Sequence, residues 1–180
     1  MNLSEKIVNT SQIFEGDIIK INKNEVLLPN GKTSTREIVK SKNAVCIAVL
    51  TEDNQIIFEK QFRCPFNNVV LELPAGKMED SDETPLNAAI RELKEETGII
   101  ATDYKFLGEF YSTPGFCTEI IYMYACKLSK IEGTKLDEDE FIDIIKIPIQ
   151  KAIDMILNNE IKDGKTQALI LKLNTMINNG

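Results

Sequence analysis

An α/β fold, in which helices cover both faces of a mixed sheet, is predicted by three observations. Short apolar runs typical of strands lie on both sides of a helix whose start and stop signals are Thr84 and Gly98. Residues 149–157 and 166–177 carry apolar side chains at helical spacing. The length of 180 residues suits one main domain that buries about 70% of its unfolded surface. We therefore expect this domain over residues 44–180, preceded by a small β segment over residues 1–43.

The strands are predicted from apolar runs that are bounded by turn residues. Residues 1–43 are polar and irregular, with one strand around Asp17–Ile21 and a turn at Pro29–Lys32. Ala44–Leu50 is almost continuously apolar, as expected for a buried strand, and Thr51–Asn54 forms the next turn. The remaining strands are expected at residues 55–62, 69–73, 106–111, 120–128 and 142–147.

The helix after the third apolar strand is fixed by local signals. Thr84 is a good N-cap residue, and Pro85 occupies the first helical position, where its missing N–H group costs nothing. Gly98 provides the stop signal. The apolar stripe of this helix is predicted to consist of Leu86, Ile90 and Leu93.

Three carboxylates project from one side of this helix. At about 100° per residue, Glu92 and Glu96 lie roughly 40° apart, with Glu95 beside them. Such like charges repel one another, whereas hard oxygen ligands suit Mg²⁺. The glycine loop before the helix and the spacing after it favour a metal site over a solvated charged face. We therefore predict a metal-binding helix and phosphate chemistry, with Arg91 pairing to Glu95 four residues later.

Composition narrows the function further. The formal net charge is −7, from 21 basic and 28 acidic side chains, so a nucleic-acid duplex is not an expected partner. A polar N-terminus and the absence of an apolar run of about 18 residues predict no membrane association and a cytoplasmic location. Cys46 and Cys126 lie in apolar strands and are expected to be buried free thiols.

The chain contains no histidine. A Ser–His–Asp triad, a histidine general base and imidazole metal ligands are therefore excluded. The proton acceptor of any hydrolytic reaction is expected to be a carboxylate or a hydroxide at a metal ion. This absence agrees with the prediction of a carboxylate metal site.

The segment from Gly76 to Ile100 resembles the signature of the Nudix hydrolases, G-x5-E-x7-R-E-U-x-E-E-x-G-U, where U is aliphatic. Glu83 and the run Arg91–Ile99 match this pattern. Six residues instead of five separate Gly76 from Glu83, so that Asp82 stands at the family's spacing. We expect the extra residue to form a bulge in the loop and to leave the ligands on the helix unaffected.

The resemblance implies hydrolysis of a nucleoside diphosphate that is linked to another group. Water would attack a phosphorus atom of the diphosphate while Mg²⁺, or alternatively Mn²⁺, neutralises the charge that develops on its oxygens. Glu92 and Glu96 are the expected direct ligands, and Glu95 would bridge two metal ions or orient a water at the metal. The family resemblance adds the carbonyl of Ala75. Arg91 is expected to brace the glutamates.

Three features outside the signature resemble the ADP-ribose and ADP-sugar pyrophosphatase branch of the family. Pro114 follows Gly98 by sixteen residues (114 − 98), within the segment Ser112–Phe116. The segments Gln61–Arg63 and Leu71–Gly76 are similar to those in which the arginine of this branch contacts the diphosphate. The substrate-binding residues implied by the resemblance are Arg36, Glu37, Arg63, Glu72, Lys77, Pro114, Gly115, Phe116 and Glu119.

The third feature is the acidic segment Asp137–Ile142. It is similar to a loop that, in this branch, places a glutamate close to the attacked water. Glu140 is by that match the expected general base, with Glu138 as the second candidate. A solvated acidic turn is the alternative reading of the same residues.

The resemblance also implies a homodimer whose subunits exchange the N-terminal β segment, with Arg36–Ile38 reaching the nucleotide. Phe14 is a candidate for stacking on adenine, although ordinary packing explains it equally well. We therefore expect Mg²⁺-dependent hydrolysis of ADP-ribose to AMP and ribose 5-phosphate. The alternatives are a pyrophosphatase for another nucleoside diphosphate sugar and a module that senses ADP-ribose without cleaving it. Cleavage of nucleoside triphosphates would leave Pro114 and the N-terminal segment unexplained.

Overall fold

The computed structural model of the chain describes residues 2–79, 83–136 and 141–179. Asp82 and residues 137–140 of the predicted acidic segment, including Glu138 and Glu140, lie outside these ranges. The chain divides into two units. The first consists of Met1–Asn43 and Tyr111–Ile120, and the second consists of Ala44–Phe110 and Ile121–Gly180.

The first unit contains a three-stranded antiparallel sheet in the order β1-β2-β3. Its strands are β1 (Lys6–Glu15), β2 (Ile19–Leu27) and β3 (Thr33–Ser41). The strand predicted around Asp17–Ile21 is present in part as β2, but the expectation that the rest of residues 1–43 is irregular is wrong, because β1 and β3 flank it. All ten residues of β1 are exposed, so this strand lacks the apolar alternation by which a half-buried strand is recognised. The predicted turn at Pro29–Lys32 is confirmed, since the Leu28 amide donates to the Lys32 carbonyl at 2.8 Å.

The second unit contains a mixed sheet in the order β10-β5-β4-β9-β8, with β6 paired to β5 and β7 paired to β4. Its strands are β4 (Ala44–Leu50), β5 (Gln55–Arg63), β6 (Asn68–Glu72), β7 (Ala75–Lys77), β8 (Ile99–Tyr111), β9 (Ile120–Ile131) and β10 (Ile142–Pro148). Its helices are α1 (Pro85–Thr97), α2 (Ile149–Leu157) and α3 (Gly164–Asn178), and a short 3-10 helix covers Cys64–Phe66. Strands β4 and β9 are parallel, whereas β5 runs antiparallel to β4, β6 and β10.

Two apolar cores lie on opposite faces of this sheet. Cys46 and Ala48 of β4 pack in the core that contains α2 and α3, whereas Val45 and Ile47 pack in the core that contains α1. Both faces of β4 are therefore buried, which explains its continuous apolar sequence. The predicted mixed-sheet α/β fold with helices on both faces is confirmed. Cys46 and Cys126 are buried free thiols, as predicted.

The predicted bounds of α1 are confirmed by its caps. The Thr84 hydroxyl accepts a hydrogen bond from the Asn87 amide at 3.2 Å, and Pro85 is the first helical residue. Gly98 ends the helix in the left-handed region, with φ at 66°. A Cβ atom at this position would lie 2.3 Å from the carbonyl oxygen of Glu132, so the site needs glycine for space as well as for conformation.

The predicted apolar stripe of α1 is wrong in part. Leu93 is fully buried, but Leu86 and Ile90 are 39% and 43% exposed. Ala88 and Ala89 take the buried positions instead. Short alanine side chains at these positions allow a helix to pack closely on a sheet. On the neighbouring side of α1, Glu92 and Glu96 lie against β7.

We expect Leu93→Ala to lower the free energy of unfolding by about 2–5 kcal/mol, because it leaves a cavity between α1 and the sheet. Leu86→Ala on the same helix is the matched control and should cost much less, since that side chain is partly exposed. Urea denaturation followed by far-UV circular dichroism measures both values. Equal losses in the two variants would contradict the packing of α1 described above.

Candidate functional site

The carboxylate helix α1 lies against the short strand β7. The Ala75 amide donates to Oε2 of Glu96 at 3.1 Å, and Glu96 is only 5% exposed. A Cβ atom at Gly76 would fall 2.1 Å from the carboxyl carbon of Glu92. Glycine at position 76 therefore lets the Glu92 carboxylate lie directly against the backbone of β7. Glu92 and Glu96 point into the protein, so the solvated-face interpretation of this helix is wrong for these two residues.

The guanidinium of Arg91 binds several glutamates at once. Nε and Nη2 donate to the two oxygens of Glu83 at 3.0 and 3.1 Å. Nη1 donates to Oε2 of Glu95 at 3.0 Å and lies 2.9 Å from Oε1 of Glu92. Nη2 also donates to the Lys77 carbonyl at 3.1 Å. The predicted pair between Arg91 and Glu95 is thus present, and Arg91 also ties the helix to the loop that precedes it.

These contacts stabilise the charged forms of Arg91 and Glu83. The pKa of Arg91 is raised, chiefly by its hydrogen bonds to Glu83 and further by the charge of Glu92 and the hydrogen bond to Glu95. The same hydrogen bonds lower the pKa of Glu83 below its ordinary value. Arg91 therefore reduces the repulsion between neighbouring carboxylates, which all remain within reach of one cation.

The chemistry of these groups fits a hard divalent cation. Carboxylate and carbonyl oxygens are the ligands that Mg²⁺ prefers, and Glu92, Glu95, Glu96 and Ala75 supply them. Within residues 2–79, 83–136 and 141–179, however, no three acidic, cysteine or histidine side chains converge as a metal cluster. The carboxylates are held in their present positions by Arg91 and by the Ala75 amide. The assignment of these four residues as metal ligands stays a prediction.

A second charged cluster lies between β5, β6 and α3. Arg63 donates from Nε to Oε1 of Glu72 at 2.6 Å and from Nη2 to Oε2 at 3.0 Å. Nζ of Lys165 donates to the same Oε2 at 2.6 Å and to Oδ2 of Asp163 at 3.0 Å. The sequence analysis named Arg63 and Glu72 but missed Lys165 and Asp163. Asp163 before a helical apolar pattern could have been recognised as an N-cap, and it does accept from the Thr166 amide.

The two clusters are electrostatically linked. Glu72 is buried, which by itself would raise its pKa, but the hydrogen bonds from Arg63 and the charge of Lys165 lower it overall. The pKa of Arg63 is raised mainly by Glu72 and additionally by the charge of Glu96. Of the α1 carboxylates, Glu96 thus contributes to the electrostatic environment of the Arg63 guanidinium. The arrangement places a cation beside acidic groups, as binding of a diphosphate together with divalent cations would require.

Other predicted site residues belong to the first unit. Arg36 and Glu37 lie on β3, and the Arg36 guanidinium donates from Nε to Glu5 at 3.0 Å. Pro114 and Gly115 lie in a turn closed by the Phe116 amide, which donates to Thr113 at 3.1 Å. The Ser112 hydroxyl donates to Oε2 of Glu119 at 3.0 Å. Phe14 is a half-exposed residue of β1. The substrate-binding roles of these residues stay predictions.

Comparison with known proteins identifies relatives over most of the chain. The family model for the NUDIX domain matches residues 40–168. The chain is 43% identical to the methanol dehydrogenase activator of Bacillus methanolicus, over 90% of this chain and 88% of that protein. It is 41% identical to the ADP-ribose pyrophosphatase of Bacillus subtilis, with 92% and 90% of the two chains covered. The identity to the GDP-mannose pyrophosphatase of Yersinia enterocolitica is 31%, with coverages of 93% and 95%.

A solved structure supports the fold independently of close sequence similarity. The crystal structure of an ADP compounds hydrolase superposes with a TM-score of 0.87, covering 99% of this chain and 97% of that chain at 18% identity.

In the described parts of this chain, no helix combines the length and apolar character needed to cross a membrane.

We expect Arg91→Met to destabilise the protein at pH 7, because Glu83, Glu92 and Glu95 would then repel one another without a cation. The folded-state pKa of Glu83 is lowered, so its contribution to stability is present above its ordinary value of about 4.3 and is lost as the pH falls through the lowered pKa. The difference in melting temperature between wild type and Arg91→Met should therefore shrink between pH 7 and pH 3. Lys94→Met on the exposed face of α1 is the matched control. A difference that is independent of pH would contradict this account.

Proposed function

We propose, because this chain belongs to the Nudix family, that it hydrolyses the diphosphate of ADP-ribose to AMP and ribose 5-phosphate. The family resemblance found in Gly76–Ile100 is confirmed. The observation that carries the proposal is the packing of the carboxylate helix against β7, where the Ala75 amide donates to Glu96 at 3.1 Å and a Cβ atom at Gly76 would fall 2.1 Å from the carboxyl carbon of Glu92. Similarity to the Bacillus subtilis ADP-ribose pyrophosphatase over nine-tenths of both chains supports the choice of substrate.

The reaction breaks one phosphoric anhydride bond. The oxygen of a water molecule attacks one phosphorus atom, the bond from that phosphorus to the bridging oxygen breaks, and the bridging oxygen leaves with the other phosphate. A divalent cation, proposed to be Mg²⁺ with Mn²⁺ as the alternative, would be held by Ala75, Glu92, Glu95 and Glu96 and would neutralise charge on the diphosphate oxygens. The proton of the water passes to a carboxylate. Glu140 is our candidate for this base and Glu138 the second candidate; both lie outside the described residues.

Arg63 and Arg91 have different roles in this proposal. The Arg91 guanidinium is engaged by three glutamates and by the Lys77 carbonyl, so it positions Glu95 and does not bind substrate. Arg63 uses only Nε and Nη2 to bind Glu72 and is partly exposed. It is therefore the cation that binds the diphosphate.

The remaining parts of the proposal rest on the family resemblance. They are a homodimer and nucleotide binding through Arg36, Glu37, Lys77, Pro114, Gly115, Phe116 and Glu119; the proposed cytoplasmic location rests instead on the polar N-terminus and the composition of the chain. Another nucleoside diphosphate sugar is the second candidate substrate, because a GDP-mannose pyrophosphatase is also similar along nearly the whole chain.

Product analysis tests the reaction. We expect AMP and ribose 5-phosphate to form fastest from ADP-ribose with Mg²⁺, within a panel of ADP-sugars, GDP-mannose, NADH and deoxynucleoside triphosphates. Glu96→Gln should lower kcat by several orders of magnitude while the protein stays folded, since glutamine keeps an oxygen that accepts from the Ala75 amide. Faster cleavage of another sugar nucleotide would show that this compound, and not ADP-ribose, is the preferred substrate. Tight binding of ADP-ribose without cleavage would make the protein a sensor.

Gly76→Ala tests the contact between β7 and Glu92. The added Cβ atom would collide with a flexible carboxylate, so the fold should be kept while the Glu92 carboxylate is displaced by more than 1 Å. We expect kcat/KM for ADP-ribose to fall about 10²-fold, with little change in melting temperature. Gly133→Ala, where the added atom meets no described atom within 4 Å, is the control. Full activity of Gly76→Ala would show that the position of Glu92 does not matter for the reaction.

A further inference from the structure

Lys165 is a buried cation in the first turn of α3. Its side chain is 13% exposed, and Nζ donates to Glu72 and to Asp163, the N-cap residue of the helix. Burying an ammonium group carries a desolvation penalty that ion pairing offsets only in part, and replacing buried ion pairs by apolar groups is often neutral for stability. Stability alone therefore does not explain why lysine occupies this position.

The contacts of Glu72 connect Lys165 to Arg63. Oε2 of Glu72 accepts from both Nζ of Lys165 and Nη2 of Arg63, while Oε1 accepts from Nε of Arg63. Lys165 thus fixes one carboxylate oxygen, and the two parallel hydrogen bonds fix the plane of the guanidinium. In the part of the chain that the structure describes, Nη1 of Arg63 has no hydrogen-bond partner. Its two N–H groups are therefore donors that remain for a ligand.

We propose that Lys165 is a positioning residue, which acts through Glu72 to orient Arg63 toward the diphosphate of the substrate. This inference rests on the proposed function and extends it to a residue that does not touch substrate. Asp163 supports the same arrangement, because it accepts from Nζ of Lys165 and thereby fixes the ammonium between two carboxylates. Without Lys165, the buried carboxylate of Glu72 can rotate together with the guanidinium, and the orientation of Nη1 is lost.

A purely structural role for Lys165 makes a different prediction. It would lower stability and reduce the amount of folded enzyme, but it would leave KM unchanged. Its effect on kcat/KM would also be independent of whether Arg63 is present. A double-mutant cycle separates the two roles, because residues that act through one another show non-additive effects.

The experiment measures kcat, KM and melting temperature for Lys165→Met, Arg63→Ala and the double variant, with ADP-ribose and Mg²⁺. We expect Lys165→Met to raise KM about 10- to 100-fold, as for loss of one charge-assisted hydrogen bond, with a smaller change in kcat. In the Arg63→Ala background, Lys165→Met should have no further effect beyond about twofold. Lys172→Met, on the exposed side of the same helix, is the matched control and should leave KM unchanged.

Two results would overturn the proposal: a normal KM in folded Lys165→Met, or independent, multiplicative effects of the two substitutions. If Lys165→Met does not fold, Asp163→Asn provides the second variant. Asparagine keeps the N-cap oxygen for the Thr166 amide but removes the charge beside Lys165. It should also raise KM, by a smaller factor than Lys165→Met, and a normal KM would again contradict the proposal.

Failure of the proposed function gives a different result. If the wild type cleaves another sugar nucleotide, the same cycle is measured with that compound. If it binds ADP-ribose without cleaving it, dissociation constants from calorimetry replace KM, and the same non-additivity is expected. A wild-type protein that binds neither ADP-ribose nor any compound of the panel would overturn both the function and the role of Lys165.

Discussion

The site depends on one arginine that holds several carboxylates of like charge in place. Arg91 lies within 3.1 Å of Glu83, Glu92 and Glu95, and Glu79 is 3.9 Å away. The same guanidinium binds the carbonyl of Lys77, so it joins α1 to β7 and to the residues before the helix. Side chains that are already fixed lose less conformational entropy when they bind a partner. Glutamates held by Arg91 are therefore better organised for binding a cation than free glutamates would be.

The pairing of strands in the sheet brings these groups close together. Strands β4 and β5 pair near Leu50 and Ile56, and further along β7 pairs with β4 while β6 pairs with β5. The chain crosses from one strand to the other between Glu72 and Ala75, and the Pro74 carbonyl accepts from the Ile47 amide at 2.9 Å. This crossing places Glu72 beside Lys165 of α3 and Ala75 beside Glu96 of α1. One short connection therefore links groups from both faces of the sheet.

Features that depend on local interactions were predictable from the sequence. The ends of α1 follow from Thr84, Pro85 and Gly98, whose effects act within one turn, and β4 follows from its continuous apolar run. The pair between Lys165 and Glu72 joins residues 93 apart in the chain, and no local pattern predicts it. Strand β1 escaped prediction because it is exposed along its whole length. The buried face of α1 was misassigned because apolar size does not show which residues approach the sheet most closely.

Two independent physical constraints act on Gly98. Its backbone lies in the left-handed region, its own carbonyl accepts from the Glu132 amide at 2.7 Å, and the Glu95 carbonyl accepts from the Lys135 amide at 2.9 Å. A side chain at residue 98 would therefore disturb the helix end and the strand exit together. Asparagine, which tolerates the same dihedral angles in many proteins, is also excluded here by lack of space. Any substitution at this position therefore meets a conformational penalty and a clash with the backbone of Glu132 at the same time.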